Sequence, residues 1–213
     1  YGTYNFLYVD DRALMFNIPV RYCPPGSSLP KRHQLLLTLE DGASLAFCGS
    51  LGGPIFLFRV DGDGLAVGYA PSGAPSVLSD EFSLDYFLGL IDGTQLRSLS
   101  AKAFLAAKNR IPGLDNFILQ EILWEAEVNP KSKMAALPRE DLARIHRAIK
   151  RVFPAVIAAG GRDTETDLFG KPGGYETRAS RNTLGKPCAR CGIPIVKESY
   201  LGGAVYYCPT CQP

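Results

Sequence analysis

Cys188-Ala189-Arg190-Cys191, then sixteen residues, then Cys208-Pro209-Thr210-Cys211 is the stretch on which the reading of this 213-residue chain turns. Each Cys-x-x-Cys closes a tight knuckle whose two thiolates point at one ion, and two knuckles complete a tetrahedral four-sulfur site. Sixteen residues leave room for a hairpin. Ile193 to Lys197 and Ala204 to Tyr207 read as its strands, on either side of Gly202-Gly203. Four protein thiolates leave no open coordination position, so the site is structural. Zn2+ is the expected metal, with Cys188, Cys191, Cys208 and Cys211 as ligands, although a four-sulfur set also suits iron. Cys23 and Cys48 stand apart and read as small, buried or partly buried residues. Paired Cys-x-x-Cys motifs with no charged-then-apolar leader point to a reducing compartment and to metal rather than disulfides.

Working back from the finger at 188–213, residues 159–187 are rich in Gly, Thr, Asp, Arg and Lys without periodicity, and read as a long mobile loop. Residues 80–158 carry helical spacing. Leu84, Phe87, Leu88 and Ile91 share a face, and Ser100 caps a short helix through Ala107. Asn116 opens another helix through Ala126. Pro138 suits the first turn of a long one bearing Leu142, Ile145, Ile149 and Val152, which Pro154 should end or kink. His146, on that helix, reads as a surface or edge residue with no role. Residues 1–72 alternate in the manner of strands, and Asp41-Gly42 marks a hairpin between Gln34–Glu40 and Ala43–Cys48. The expected class is α+β: an N-terminal antiparallel β-sandwich, a helical domain and a C-terminal metal hairpin.

The composition, 46% hydrophobic and 21% charged, is that of a globular protein. No apolar run approaches the ~18 residues of a membrane span, so no membrane partner is expected. The net charge of +2 conceals an asymmetry: residues 1–95 carry −5, 96–138 carry +2 and 139–213 carry +5. A basic second half points to a polyanion partner. Ile111-Pro112-Gly113-Leu114-Asp115-Asn116 turns sharply between two helices, and the free N–H groups at the start of the second would suit a phosphate.

That turn, continuing through Phe117-Ile118-Leu119-Gln120-Glu121-Ile122-Leu123-Trp124 to Asn129-Pro130, resembles the helix–two-turn–helix signature of the formamidopyrimidine-DNA glycosylase/endonuclease VIII family. The spacing to Gly160-Gly161, to Gly185-Lys186-Pro187 and to the finger matches as well, and His33 to Gly42 resembles the family's strand–turn segment. The resemblance implies base-excision repair: a glycosylase that removes damaged bases and cleaves the strand at the abasic site, with double-stranded DNA containing damaged bases or abasic sites as partner. It implies a monomer in the cytoplasm, associated with the nucleoid. The family's nucleophile is the amine of an N-terminal proline followed by a glutamate. Tyr1 enters inside the sheet domain and no Met-Pro-Glu opening is present, so some tens of residues are expected to precede it.

Carried over by register, the family's catalytic lysine falls at His33, beside Lys31 and Arg32. The gap-filling triplet falls at Ser50-Leu51-Gly52, where Leu51 is the wedge. Asp115 replaces a usual glycine, and Gly203 stands where the finger's arginine is expected. Gly113 with the amides after it, Asn116, Lys108, Arg110, Arg178 and Arg190 are the candidate DNA contacts in the second half. The alternatives are a relative that binds DNA without cutting, and a small zinc protein that binds other proteins.

Overall fold

The first strands follow from alternation. Ala13 and Met15 are fully buried while Arg12, Leu14 and Phe16 around them are not, the period-two signature of a sheet with one covered face. The computed structural model describes residues 5–49, 53–60, 74–91, 97–106 and 110–213. Within them, β1 (Asn5–Val9), β2 (Arg12–Phe16) and β6 (Ile55–Arg59) form one antiparallel sheet in the order β1-β2-β6. Strands β3 (Val20–Cys23), β4 (Leu35–Thr38) and β5 (Ser44–Phe47) form a second, in the order β3-β5-β4. Phe16 and Phe47 meet edge to face at 4.9 Å, joining the two sheets of the sandwich. Asp41-Gly42 makes the expected hairpin, with Gly42 at φ 82° and the Asp41 carboxylate accepting from the amide of Ala43 at 2.9 Å. Strand β3 is an element that the sequence pattern does not announce.

The chain divides into two compact units, residues 3–73 with 166–172, and residues 74–165 with 173–213. The helical segment, most of 159–187 and the finger fall in the second unit. In the first unit, Asp167 organises the 166–172 turn by accepting from the amides of Phe169 and Lys171, and Tyr22 N donates to Leu168 O at 2.9 Å.

In the second unit, α1 (Leu84–Gly89) is capped by Ser83 and α2 (Ala101–Ala106) by Ser100, whose hydroxyl accepts from Ala103 N. Helix α3 spans Ile118–Ala126, a 3-10 turn Met134–Ala136, and α4 Arg139–Ala158. Their core is built on Phe82, Phe87, Phe104, Leu119, Ile122, Leu123, Ile145 and Ile149. Pro154 does not end α4, which continues a full turn beyond it. A mid-helix proline costs roughly 3 kcal/mol, and Val152, Phe153 and Val156, packed on the core on both sides of it, hold the helix in register. The helix stops at Gly160 and Gly161, both at positive φ. No helix among the described residues is long and apolar enough to cross a membrane. His146 is not a bare surface residue: its Nε2 lies 2.9 Å from Phe82 O and its ring stacks on Phe82.

Residues 173–187 hold no helix or strand, yet they are pinned to α3. Glu121, 1% exposed, accepts from the amides of Arg178 at 2.8 Å and Ala179 at 2.9 Å. Burial raises its carboxyl above the usual value, partly offset by those two amides and by Arg162 and Arg178. Glu121→Ala strands both donors, each at about 1–3 kcal/mol, so this unit should lose about 2–6 kcal/mol in denaturant unfolding. For a carboxyl raised on folding, the stabilisation is complete below the unfolded value of 4.5 and declines as pH rises through the folded one. The advantage of Glu121 over a Glu121→Gln variant should accordingly shrink as pH rises across that window, as paired melting curves would record.

Candidate nucleic-acid interface and metal centre

The hairpin that carries the metal ligands is β7 (Val196–Tyr200) paired with β8 (Gly203–Tyr207), Tyr200 facing Gly203. Its two-residue turn is Leu201-Gly202, both at positive φ, one residue earlier than the Gly202-Gly203 turn the sequence suggests. Ile193–Ile195 lies outside the hairpin and bridges instead to Leu184–Pro187. The four cysteine sulfurs all lie within 4.8 Å of one another and none is in a disulfide. Sulfurs bound at ~2.3 Å to one tetrahedral zinc are about 3.8 Å apart, so the set fits that ion.

The thiols do not ionise independently. Burial opposes ionisation of Cys188, but the amides of Arg190 and Cys191, with Trp124 and Cys208, bring its thiol down to about 6. Burial and the sulfurs of Cys191 and Cys208 push Cys211 up to about 12. A divalent cation at the centre removes that conflict by taking all four as thiolates. The site is a structural zinc site. Gln212, fully buried, locks the second knuckle: its side chain accepts from Cys208 N and donates to Val128 O, and Asn129 donates to its carbonyl.

The turn before α3 differs from the sequence expectation in one respect. Helix α3 begins at Ile118 rather than Asn116, and Asp115 serves as its cap, Oδ1 accepting from Phe117 N at 2.8 Å and Ile118 N at 2.7 Å. Two of the amides expected to face a phosphate are thus taken by the chain's own carboxylate. Gly113 sits at φ 81°, and a Cβ there would lie 3.3 Å from the Phe153 ring, so the turn needs glycine on both counts. Asn116 is half-buried and stands beside the finger: a Cβ on Gly203 would lie 3.8 Å from its amide nitrogen and 3.3 Å from Lys102 Nζ. Lys102, 4% exposed, donates to Tyr200 O at 2.5 Å and Gly203 O at 3.4 Å, so a lysine ammonium occupies the neighbourhood of the finger glycine. Burial lowers its pKa.

A cavity of about 440 Å³ opens next to Asn116, lined among others by Phe117, Gln120, Arg162, Thr177 and Tyr206. Phe117 is 59% exposed, and its ring lies 5.5 Å from the guanidinium of Arg162. Arg162, buried, is held by Glu165 at 2.5 Å and by Asp115 at 3.5 Å. Gln120 spans two segments, donating to Asn116 O at 2.9 Å and accepting from Tyr206 N at 2.6 Å. Sequence reasoning assigns no role to Arg162, Gln120, Glu121 or Lys102. A signal exists for Gln120-Glu121: two polar residues inside an otherwise apolar helical run must be paired if that helix is buried all round.

The other candidates fall as follows. Arg110 donates to Phe104 O at 2.6 Å with its guanidinium over the Phe104 ring, closing the end of α2, and burial lowers its pKa. Arg190 is held over the Trp124 ring at 4.4 Å and donates to Trp124 O. Arg178 is exposed, 3.8 Å from Glu176. Lys31, Arg32 and His33 are exposed in the first unit, and His33 Nδ1 lies 3.0 Å from Pro30 O. Leu51 and Lys108 lie outside the described residues.

An antiparallel sandwich, a helix–two-turn–helix unit and a four-cysteine hairpin define an α+β zinc protein of a known architecture. Residues 185–213 match the model of the zinc finger found in FPG and IleRS. The formamidopyrimidine-DNA glycosylase of Pelotomaculum thermopropionicum is 33% identical over 197 residues, covering 90% of this chain and 69% of that protein. That of Lactobacillus delbrueckii subsp. bulgaricus is 31% identical over 137 residues, 63% of this chain and 49% of the relative. Among solved structures, Lactococcus lactis Fpg in complex with an abasic-site DNA superposes with a TM-score of 0.81 at 22% identity, covering all of this chain and 79% of that one. MutM (Fpg) of Thermus thermophilus gives 0.79 at 23% identity, covering 99% and 80%. The chain belongs to the formamidopyrimidine-DNA glycosylase family. It spans about half the length of the first curated relatives it matches.

Cys208→Ser removes one of two buried ligands, and because site formation and local folding are coupled, the variant should purify with well under one zinc per chain. Loss of amide protection along β7 and β8 should accompany it. Full zinc content in the variant, by metal analysis, would show that the four thiols do not act as one site.

Proposed function

We propose that this chain belongs to a base-excision DNA glycosylase that also cleaves the strand at abasic sites, and that it binds duplex DNA containing damaged bases or abasic sites. Family membership supports the reading. The observation that carries it is the cavity beside Asn116, whose rim bears an exposed phenyl ring, Phe117, backed by a guanidinium. Its volume falls within the ~300–1,000 Å³ of ligand clefts, and an exposed aromatic ring is a stacking surface open to any base. In this reading Asn116 donates to a phosphate next to the cavity, Gly113 permits the turn that presents it, and Lys31, Arg32 and Arg178 supply phosphate-neutralising charge. Arg110 and Arg190, engaged with Phe104 and Trp124, hold the frame behind that surface. The protein acts as a monomer on DNA in the cytoplasm, at the nucleoid. His33 stands in the register of the family's catalytic lysine with a ring nitrogen bound to Pro30 O. A relative that binds without cutting is therefore the second reading, and an abasic-strand cleavage assay on the protein separates the two.

Binding to an abasic-site duplex, titrated over a range of salt, tests the interface. Phe117→Ala should weaken it by about 1–3 kcal/mol through lost stacking. Asn116→Ala should weaken it by about 1.5–3 kcal/mol, the worth of a hydrogen bond to a charged group, with the salt slope unchanged because no charge is removed. Replacing Lys31 and Arg32 by Ala should instead flatten the slope by about one unit each. Wild-type affinity in both Phe117→Ala and Asn116→Ala would place the DNA elsewhere.

A further inference from the structure

Helix α3 presents Gln120 and Trp124 four residues apart, on one face. Gln120 takes the amide of Tyr206 in β8. Trp124, the only tryptophan in the chain, points its indole N–H at Cys188 Sγ, 3.4 Å away. Both groups are buried, Trp124 at 8% and Cys188 at 3% exposure. Trp124 is also the helical member of the small apolar cluster around the metal ligands, with Ala179, Ile195 and Cys208. Arg190, inside the first Cys-x-x-Cys, lies with its guanidinium 4.4 Å over the same ring and donates to Trp124 O at 3.0 Å. The first knuckle is therefore held by one side chain in two ways, sulfur at the indole nitrogen and guanidinium over the indole face.

A ring chosen for packing alone would not need the nitrogen. A buried N–H without an acceptor is destabilising, and here the acceptor is a metal ligand. A neutral thiol accepts weakly, whereas a zinc-bound thiolate makes the bond charge-assisted and correspondingly stronger. We propose that Trp124 is a positioning residue for the zinc site: its indole N–H donates to the Cys188 thiolate and orients that sulfur toward the ion, while its ring seats Arg190 and with it the first knuckle. Groups that orient a metal ligand in this way are worth ~10–100-fold in metal affinity.

The test uses the full 213-residue chain. In protein loaded with the cadmium-113 isotope in place of zinc, the single indole N–H resonance should be split by coupling to the metal through the sulfur. That splitting should vanish when the metal is removed. Trp124→Phe, which keeps an aromatic ring and removes the donor, should bind zinc about 10–100-fold more weakly in competition with a chromophoric chelator. Arg190→Gln, which leaves the N–H in place, should retain the splitting. The splitting is read on the unmodified sequence, so it decides the matter even if Trp124→Phe folds poorly. An unsplit indole resonance in the metal-loaded protein, or zinc affinity in a folded Trp124→Phe variant equal to that of the parent, would overturn the proposal.

Discussion

Helix α3 is buried along almost its whole length, and a helix so placed cannot leave a polar side chain unpaired. Eight of its nine residues are buried, Gln120, Glu121 and Trp124 among them. Each of those three is satisfied by a different part of the chain: Gln120 by the amide of Tyr206, Glu121 by the amides of Arg178 and Ala179, Trp124 by the sulfur of Cys188. In a low-dielectric interior an unmet group is expensive. The helix therefore dictates where the finger and the 173–187 segment must lie. The cavity beside Asn116 is the space those three placements leave, with walls from α3, from residues 162–181 and from β8.

The finger could not hold its own shape by burial. Its apolar centre is small: Ile195, Cys188 and Cys208 are completed by Trp124 and Ala179 from outside, and the hairpin itself adds buried Val205 and Tyr207. Zinc supplies the missing cohesion, and the contacts with the helical residues supply the orientation. Lys102 reaches the hairpin turn, Lys131 pairs with Glu198 on β7, and Gln212 and Asn129 join the second knuckle to the end of α3. These bonds are distributed along the hairpin, so metal and helix fix it from opposite sides. Fixed in that way, Gly203 lies beside Asn116, and the loop of the finger becomes part of the surface on which the Asn116 turn sits.

Much of this is legible in the residues themselves. The four ligands follow from spacing alone, the Asp41-Gly42 hairpin from turn chemistry, and the helices from apolar periodicity, because each is a local matter. Strand β3 escapes notice because Val20-Arg21-Tyr22-Cys23 is short and alternates weakly, and its identity comes from pairing with β5. Pro154 does not end the helix because its cost is local while the packing of Phe153 and Val156 that offsets it is tertiary. The 173–187 segment has no period, and the bonds that tie it to α3 come from a carboxylate more than fifty residues earlier in the chain, which no local pattern reveals. In the sequence Asp115 stands only as the replacement of a usual glycine. That it caps its own helix depends on backbone geometry that composition does not reveal. Arg162 carries no motif at all, and only folding brings it to Asp115 and Phe117.

If α3 organises its surroundings in this way, then α3, the 173–187 segment and the finger are one cooperative body. Native-state hydrogen exchange, followed before and after chelation of zinc, measures this directly. In a single body, the amides of Arg178 and Ala179, bonded to Glu121, lose protection together with that of Tyr206, bonded to Gln120, and with a common free energy. Loss of protection confined to residues 188–213, with Arg178 and Ala179 unchanged, would contradict it.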